Sequence, residues 1–209
     1  MTKVLVLLLA MTLAAFGSSA ALAAGEPSTH VPTLLVTGAN RGIGLEFARQ
    51  YVEREWKVIA TARDPSNASE LQQLASQHSN LVIEKLDLAD NASITALAKK
   101  YRGQPIDVLL NNAGYLGEPD GQALGKTFDY PMFEEIMRVN AYAPLLMSQA
   151  FLENVLAGEQ KKIIALTSGI GSVTLASRFG GLVFYRMSKA SLDLGMRALQ
   201  ADVRSRGIK

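Results

Sequence analysis

The sequence predicts an α/β fold, a doubly wound sheet of parallel strands with helices on both faces. Three observations carry this. Short runs rich in Val, Ile and Leu alternate with longer stretches of helical periodicity. The runs are apolar almost throughout rather than at every second residue, as strands buried on both faces require. A glycine-rich turn follows the first run directly and opens the first helical stretch.

The runs TLLVT (33–37), KVIATA (57–62), LVIEKL (81–86), IDVLLN (106–111) and KIIALT (162–167) read as strands. Helices are expected over Ile43–Arg54, Ser66–Gln77, Ala92–Tyr101 and Pro131–Leu156, with a last one over Val183–Arg206. Strands alternating with helices of this length mark βαβ units. Pro144 lacks the N–H that a helix interior uses, so the long stretch is expected to divide into two helices near Asn140.

Residues 1–24 stand apart. Lys3 precedes an apolar run from Val4 to Phe16, and Ala21-Leu22-Ala23 then offers a small-residue cleavage site. That is the layout of a secretory signal peptide, and the run falls short of the roughly 20 residues that span a bilayer. Residues 25–32 follow as a leader segment, and 33–209 form one domain. A working leader would export the protein to the periplasm, the ER lumen or the exterior; otherwise it is cytoplasmic.

The formal charge of +2 comes from scattered basic residues, which argues against nucleic acid as a partner. Without cysteine, disulfides and thiolate metal sites are ruled out. His30 and His78 alone do not make a metal site or a Ser-His-Asp triad.

The turn after the first strand reads Thr37-Gly38-Ala39-Asn40-Arg41-Gly42-Ile43-Gly44. Glycines let the backbone approach a pyrophosphate, and the helix N-terminus supplies free N–H groups and positive potential. The spacing is G-x-x-x-G-x-G, and its place in the first βα unit marks a Rossmann-like dinucleotide site. A carboxylate at the end of the second strand would select NAD(H). Here Arg63 follows Ala62, and Arg41 lies inside the turn, so a 2′-phosphate and NADP(H) are expected, with Asp64 the one contrary charge.

Tyr185 and Lys189 in FYRMSK lie one helical turn apart on the same face. A phenol has a pKa of about 10, and a nearby ammonium lowers it toward a useful acid/base range.

In order, these pieces resemble the short-chain dehydrogenase/reductase family. TGANRGIG (37–44) looks like its cofactor turn, Asp87-Leu88 like its adenine-contacting pair, and Asn111-Asn112-Ala113-Gly114 like its NNAG signature. Asn140, Ser168, Tyr185 and Lys189 look like its catalytic tetrad, and GANRGIGLEFARQY with ATARDP looks most like the C-factor and sniffer-type carbonyl reductases. The resemblance implies reduction of an aldehyde, ketone or quinone by hydride transfer from NADP(H). Tyr185 would be the proton donor, and Lys189 would tune it and bind the nicotinamide ribose. Ser168 would bind the substrate oxygen, and Asn140 would hold a relay water. Ser172 competes for the role of Ser168, Asn140 could instead cap a helix, and Asn112 reads as a bridge between strands. Val173, Leu175, Phe179 and Phe184 could line an apolar substrate pocket or simply pack. A homodimer or homotetramer through the 141–156 and 183–206 helices is also implied.

In the family, the segment at 205–209 leads into a sixth strand, a Pro-Gly turn, a substrate lid and a seventh strand. The sequence reads as truncated before the sixth and seventh strands, leaving the fifth as a bare edge. The alternative function is therefore a non-catalytic NADP-binding signalling or interaction protein, or an inactive fragment.

Overall fold

The computed structural model describes residues 30–209 except 177 and 179. The expected signal peptide and Phe179 lie outside the described residues. Five strands, β1 (Thr33–Val36), β2 (Lys57–Ala62), β3 (Leu81–Lys85), β4 (Val108–Asn111) and β5 (Lys162–Ala165), form one parallel sheet in the order β3-β2-β1-β4-β5. Leu35 of β1 is in register with Ile59 on one side and Leu109 on the other. Strand order reverses between β1 and β4, the place where a crevice opens at the carboxyl ends of such sheets.

The continuous apolar runs now have their reason. Leu34, Val36, Val58, Ala60, Val108 and Leu110 face Leu45 and Ala48 of α1 (Gly42–Val52) and Leu71 and Leu74 of α2 (Ser69–Gln77). Leu35, Ile59, Leu109 and Ile163 face the other way. They meet Ile94 and Leu97 of α3 (Asn91–Lys100) and a second group of helices that follows β4. Along β1 and β4 neither face meets water, so no alternation is needed, whereas Val82 of β3 and Ile164 of β5 are exposed at the sheet's two edges.

One expectation fails. The long helical stretch does not divide near Asn140. It runs through α4 (Tyr130–Met137), a π-helical turn over Arg138–Tyr142 and α5 (Ala143–Ala150). The turn closes with the Ala143 N–H on the Arg138 carbonyl, and Pro144 then sits in the first turn of α5, where its missing N–H costs little. The division comes at Phe151 (φ −103°, ψ 10°), before α6 (Leu152–Ala157). A short α7 (Val173–Ala176) and the long α8 (Val183–Val203) complete the set.

The fifth strand is not wholly bare either. The Lys209 N–H donates to the Lys161 carbonyl at 2.9 Å, and the Ile163 N–H donates to the Lys209 carbonyl at 3.0 Å. This exchange has the hydrogen-bond pattern of a parallel pair, and Ile208 is buried beside it.

Asp107 ties the opposite end of the sheet together. Its carboxylate is fully buried and accepts from the N–H groups of Thr33 (2.8 Å), Glu159 (2.9 Å) and Gln160 (3.2 Å). Asp107→Ala leaves those donors without this acceptor, and a stability loss of roughly 2–4 kcal/mol by urea denaturation is expected. A loss within experimental error would mean that the loops re-pair at no cost.

Candidate active site

The glycine turn between β1 and α1 is built by close contact. Gly38 (φ +67°) and Gly42 (φ +58°) take left-handed backbone that other residues resist. Gly44 is helical but has no room: a Cβ there would lie 2.3 Å from the Gly38 carbonyl oxygen and 2.5 Å from Asn112 Nδ2. Asn112 is the expected bridge, donating through Nδ2 to the carbonyls of Thr37 (2.8 Å) and Gly38 (3.2 Å). Thr37 Oγ1 accepts in return from the N–H groups of Asn112 (3.0 Å) and Ala113 (3.1 Å).

Above this turn runs a groove of ≈ 670 Å³. Its walls bring together the sequence-predicted cofactor residues Gly38, Asn40, Arg41, Gly42, Ile43, Gly44, Arg63, Asp87, Leu88, Asn112, Ala113 and Gly114. Asp64, the contrary charge, lines the same groove beside Arg63 and is bonded locally. Its carboxylate accepts from the Ser66 N–H (3.1 Å), Ser66 Oγ (2.5 Å) and Asn67 Nδ2, capping the 3₁₀ turn over Pro65–Asn67. Those bonds hold its pKa below the usual carboxylate value. Arg41 and Arg63 are exposed on the same groove. This cradle fits a dinucleotide, and its two guanidinium groups fit a 2′-phosphate.

The predicted tetrad residues Asn140, Ser168, Tyr185 and Lys189 do not line this groove, although Tyr185 and Lys189 are also sequence-predicted cofactor residues; Asn140 and Lys189 approach it at Gly114. Lys189 is buried, and its Nζ lies 5.7 Å from the centre of the Tyr185 ring while donating to the Leu166 carbonyl at 2.9 Å. A Cβ on Gly114 would lie 3.7 Å from that Nζ and 3.5 Å from Asn140 Oδ1, so the groove adjoins Lys189 and Asn140 there. Burial pushes the Tyr185 phenol above its ordinary pKa and the Lys189 ammonium below its own, with Asp193 opposing the second shift. The expectation that Lys189 lowers the phenol is not met by the chain's own groups: burial acts on Tyr185 and raises it.

Asn140 is not a helix cap. It is fully buried inside the π-helical turn. Its Nδ2 donates to the Tyr115 carbonyl (2.8 Å) and to Ser188 Oγ (3.0 Å), and its Oδ1 accepts from the Tyr115 N–H (2.7 Å). The α-helical donor to its backbone carbonyl would be the N–H of residue 144, which proline lacks. Ser168 stands at the end of β5, and its Oγ accepts from the Ile170 N–H at 3.3 Å. The turn it caps packs on α8: a Cβ on Gly171 would touch Lys189 Cβ at 2.9 Å. Its competitor Ser172 caps the next turn, accepting from the Leu175 N–H at 3.3 Å.

The expected apolar pocket is not assembled by its named residues. Val173 is 83% exposed and Leu175 40%, while Phe184 is buried among Met132 and Ile136. Two residues escaped sequence reasoning. Ser188 links Asn140 to the Tyr185 carbonyl, its Oγ donating at 2.8 Å. Gln122, fully buried, accepts from the Tyr185 N–H at 3.0 Å. Ser188 is betrayed by its place between Tyr185 and Lys189; Gln122 sits in a Gly- and Pro-rich loop and carries no sequence signal.

A short chain dehydrogenase family model matches residues 32–209. The chain is 34% identical over 160 residues to (+)-neomenthol dehydrogenase of Arabidopsis thaliana, a match covering 66% of this chain and 54% of that protein. It therefore spans about half the length of that relative. The NADPH-bound carbonyl reductase from chicken fatty liver is 37% identical with a TM-score of 0.74, covering 85% of this chain and 73% of that one. A Burkholderia multivorans short-chain dehydrogenase/reductase with bound NADP is 30% identical, with a TM-score of 0.75 over 84% and 75% of the two chains. Family model, relatives, parallel sheet and glycine turn agree, and the chain belongs to the short-chain dehydrogenase family.

Proposed function

We propose that this chain is an NADP(H)-dependent reductase of aldehyde, ketone or quinone carbonyls, with Tyr185 as the proton donor. One observation carries the reading. A buried ammonium lies beside a phenol and next to Gly114, a wall residue of a glycine-rich groove that bears two exposed arginines. A metabolic hydride carrier, when bound, supplies the hydride.

The protein's own groups do the rest. Tyr185 gives its proton to the carbonyl oxygen as charge develops there, and takes it back in the reverse direction. Lys189 has three N–H donors, of which Leu166 uses one. The others are available to a ribose hydroxyl and a water. The Asn140 carbonyl, left without its α-helical donor by Pro144, offers that water an acceptor and so a path for proton resupply. Ser168 Oγ keeps its hydroxyl proton for the substrate oxygen, because its cap uses it as an acceptor. Arg41 and Arg63 bind the 2′-phosphate.

NADPH and NADH titrations of the chain without residues 1–24, followed by loss of the reduced-nicotinamide absorbance with a panel of carbonyls, test the reading. Binding without turnover of any carbonyl would support the non-catalytic alternative. Arg63→Glu should weaken NADPH binding about 10- to 100-fold and leave NADH nearly unchanged, since one charge-assisted contact is lost and a repulsion added. Equal weakening of both cofactors would place Arg63 outside the phosphate site.

Export by residues 1–24 and assembly through the 141–156 and 183–206 helices belong to the same proposal. Exposed Tyr142, Met187 and Leu194 support assembly. An intact Met1 on the mature protein would sink the first, and a monomer by light scattering the second.

A further inference from the structure

We propose that Gln122 is a positioning residue for the reaction, holding Tyr185 in place by capping the helix that carries it. The inference rests on the reading of Tyr185 as the acid/base.

Helix α8 begins badly. Its N-cap is Leu182, in left-handed backbone (φ 50°, ψ 41°), with no side-chain hydrogen bond to offer. The first N–H groups of a helix have no partner within it, and a leucine cannot supply one. The Arg186 N–H already reaches back to the Leu182 carbonyl at 2.9 Å, so the N–H of Tyr185 is the last one before the ladder starts. Gln122 Oε1, from 63 residues away, accepts it at 3.0 Å.

The amide works at both ends. Gln122 Nε2 donates to the Leu116 carbonyl at 2.9 Å, and more weakly to the Glu118 carbonyl at 3.4 Å. The side chain has no exposed surface. It therefore clamps the loop after β4, whose first residues Gly114 and Tyr115 line the cofactor groove, onto the residue that donates the proton. On the other side the Tyr185 carbonyl is held by Ser188 Oγ, itself held by Asn140. Both backbone groups of Tyr185 are thus fixed by buried side chains. Phe184, the neighbour of Tyr185, is packed between Met132 and Ile136 of α4. A helix start that floated would carry the phenol with it.

The experiment combines carbonyl-reduction kinetics with ultraviolet titration of the Tyr185 phenol, read as the difference between each variant and its Tyr185→Phe counterpart. Gln122→Met keeps the volume and removes the acceptor; Gln122→Glu keeps an acceptor. Gln122→Met is expected to lower kcat about 10- to 100-fold, the cost of a misplacement on the order of 1 Å, with NADPH affinity unchanged. Its phenol should titrate closer to the ordinary tyrosine value as water reaches it, and Gln122→Glu should restore most of both. A Gln122→Met protein that melts earlier but keeps wild-type kcat and titration would overturn the proposal. If Tyr185→Phe itself leaves turnover intact, the acid/base reading fails, while the titration still judges the clamp. Should Gln122→Met not fold, amide hydrogen exchange in the unaltered protein decides. A Tyr185 N–H as slow as mid-α8 supports the cap, and one as fast as exposed backbone refutes it.

Discussion

Tyr185→Phe is expected to cut carbonyl reduction by about 10²- to 10⁴-fold, the range that a positioned general acid contributes, while NADPH still binds. Only the hydroxyl is removed; the ring and its place beside Lys189 are kept. The pH dependence follows from burial, which raises the phenol's pKa. Reduction needs the protonated phenol, so its rate should stay level through neutral pH and fall only on the alkaline side of the ordinary tyrosine value of about 10. Oxidation of the alcohol needs the phenolate and should rise with pH over the same interval. The same shift bears on stability. A group whose pKa is higher folded than unfolded contributes stability that is complete below the unfolded value and is lost as pH rises through the folded one. Buried Tyr101, bonded to Glu84 at 2.6 Å, adds to that alkaline loss. Stopped-flow reduction of one aldehyde by wild type and variant checks the first claim. Equal rates would remove Tyr185 from the chemistry.

Gly44→Ala should disrupt the cofactor site itself. The new methyl would stand 2.3 Å from the Gly38 carbonyl oxygen and 2.5 Å from Asn112 Nδ2. Neither neighbour can retreat. Gly38 already lies so near Ala113 that a Cβ on it would be 2.8 Å from that residue's Cβ, and Asn112 is tied to two carbonyls. Overpacking of this kind costs about 3 kcal/mol, and the strain falls on the turn proposed to cradle the pyrophosphate. Loss of measurable NADPH binding together with a lowered urea midpoint is the expected result. Gly42→Ala is the control. Nothing lies within 4 Å of its added Cβ, so only the left-handed backbone (φ +58°) opposes it, at about 1 kcal/mol. If Gly44→Ala proves as mild as Gly42→Ala, the contact between turn and Asn112 is not what shapes the site.

What could be read from the amino acids alone was whatever leaves a local or periodic trace. The five strands announce themselves because a strand covered on both faces must be apolar throughout, as Leu34, Leu35 and Val36 are. The glycine turn is legible because Gly38 and Gly42 are the residues that take positive φ at little cost, and Tyr185 with Lys189 because four residues make one helical turn. Long-range contacts leave no such trace. Pro144 marked a disturbance near Asn140 correctly, but whether a helix breaks or widens into a π turn depends on what it packs against. Here Asn140 is drawn inward by the Tyr115 backbone, 25 residues away. Asp64 reads in sequence as a bare contrary charge; the fold keeps it on the groove but engages its carboxylate with Ser66 and Asn67. The direction of the Tyr185 pKa shift also needed the fold, since spacing places a lysine nearby but only packing sets how much water is excluded. Gln122 is the clearest case. A glutamine in a loop is ordinary in sequence, and only the closing of that loop over the start of α8 makes its buried amide the partner of the Tyr185 backbone.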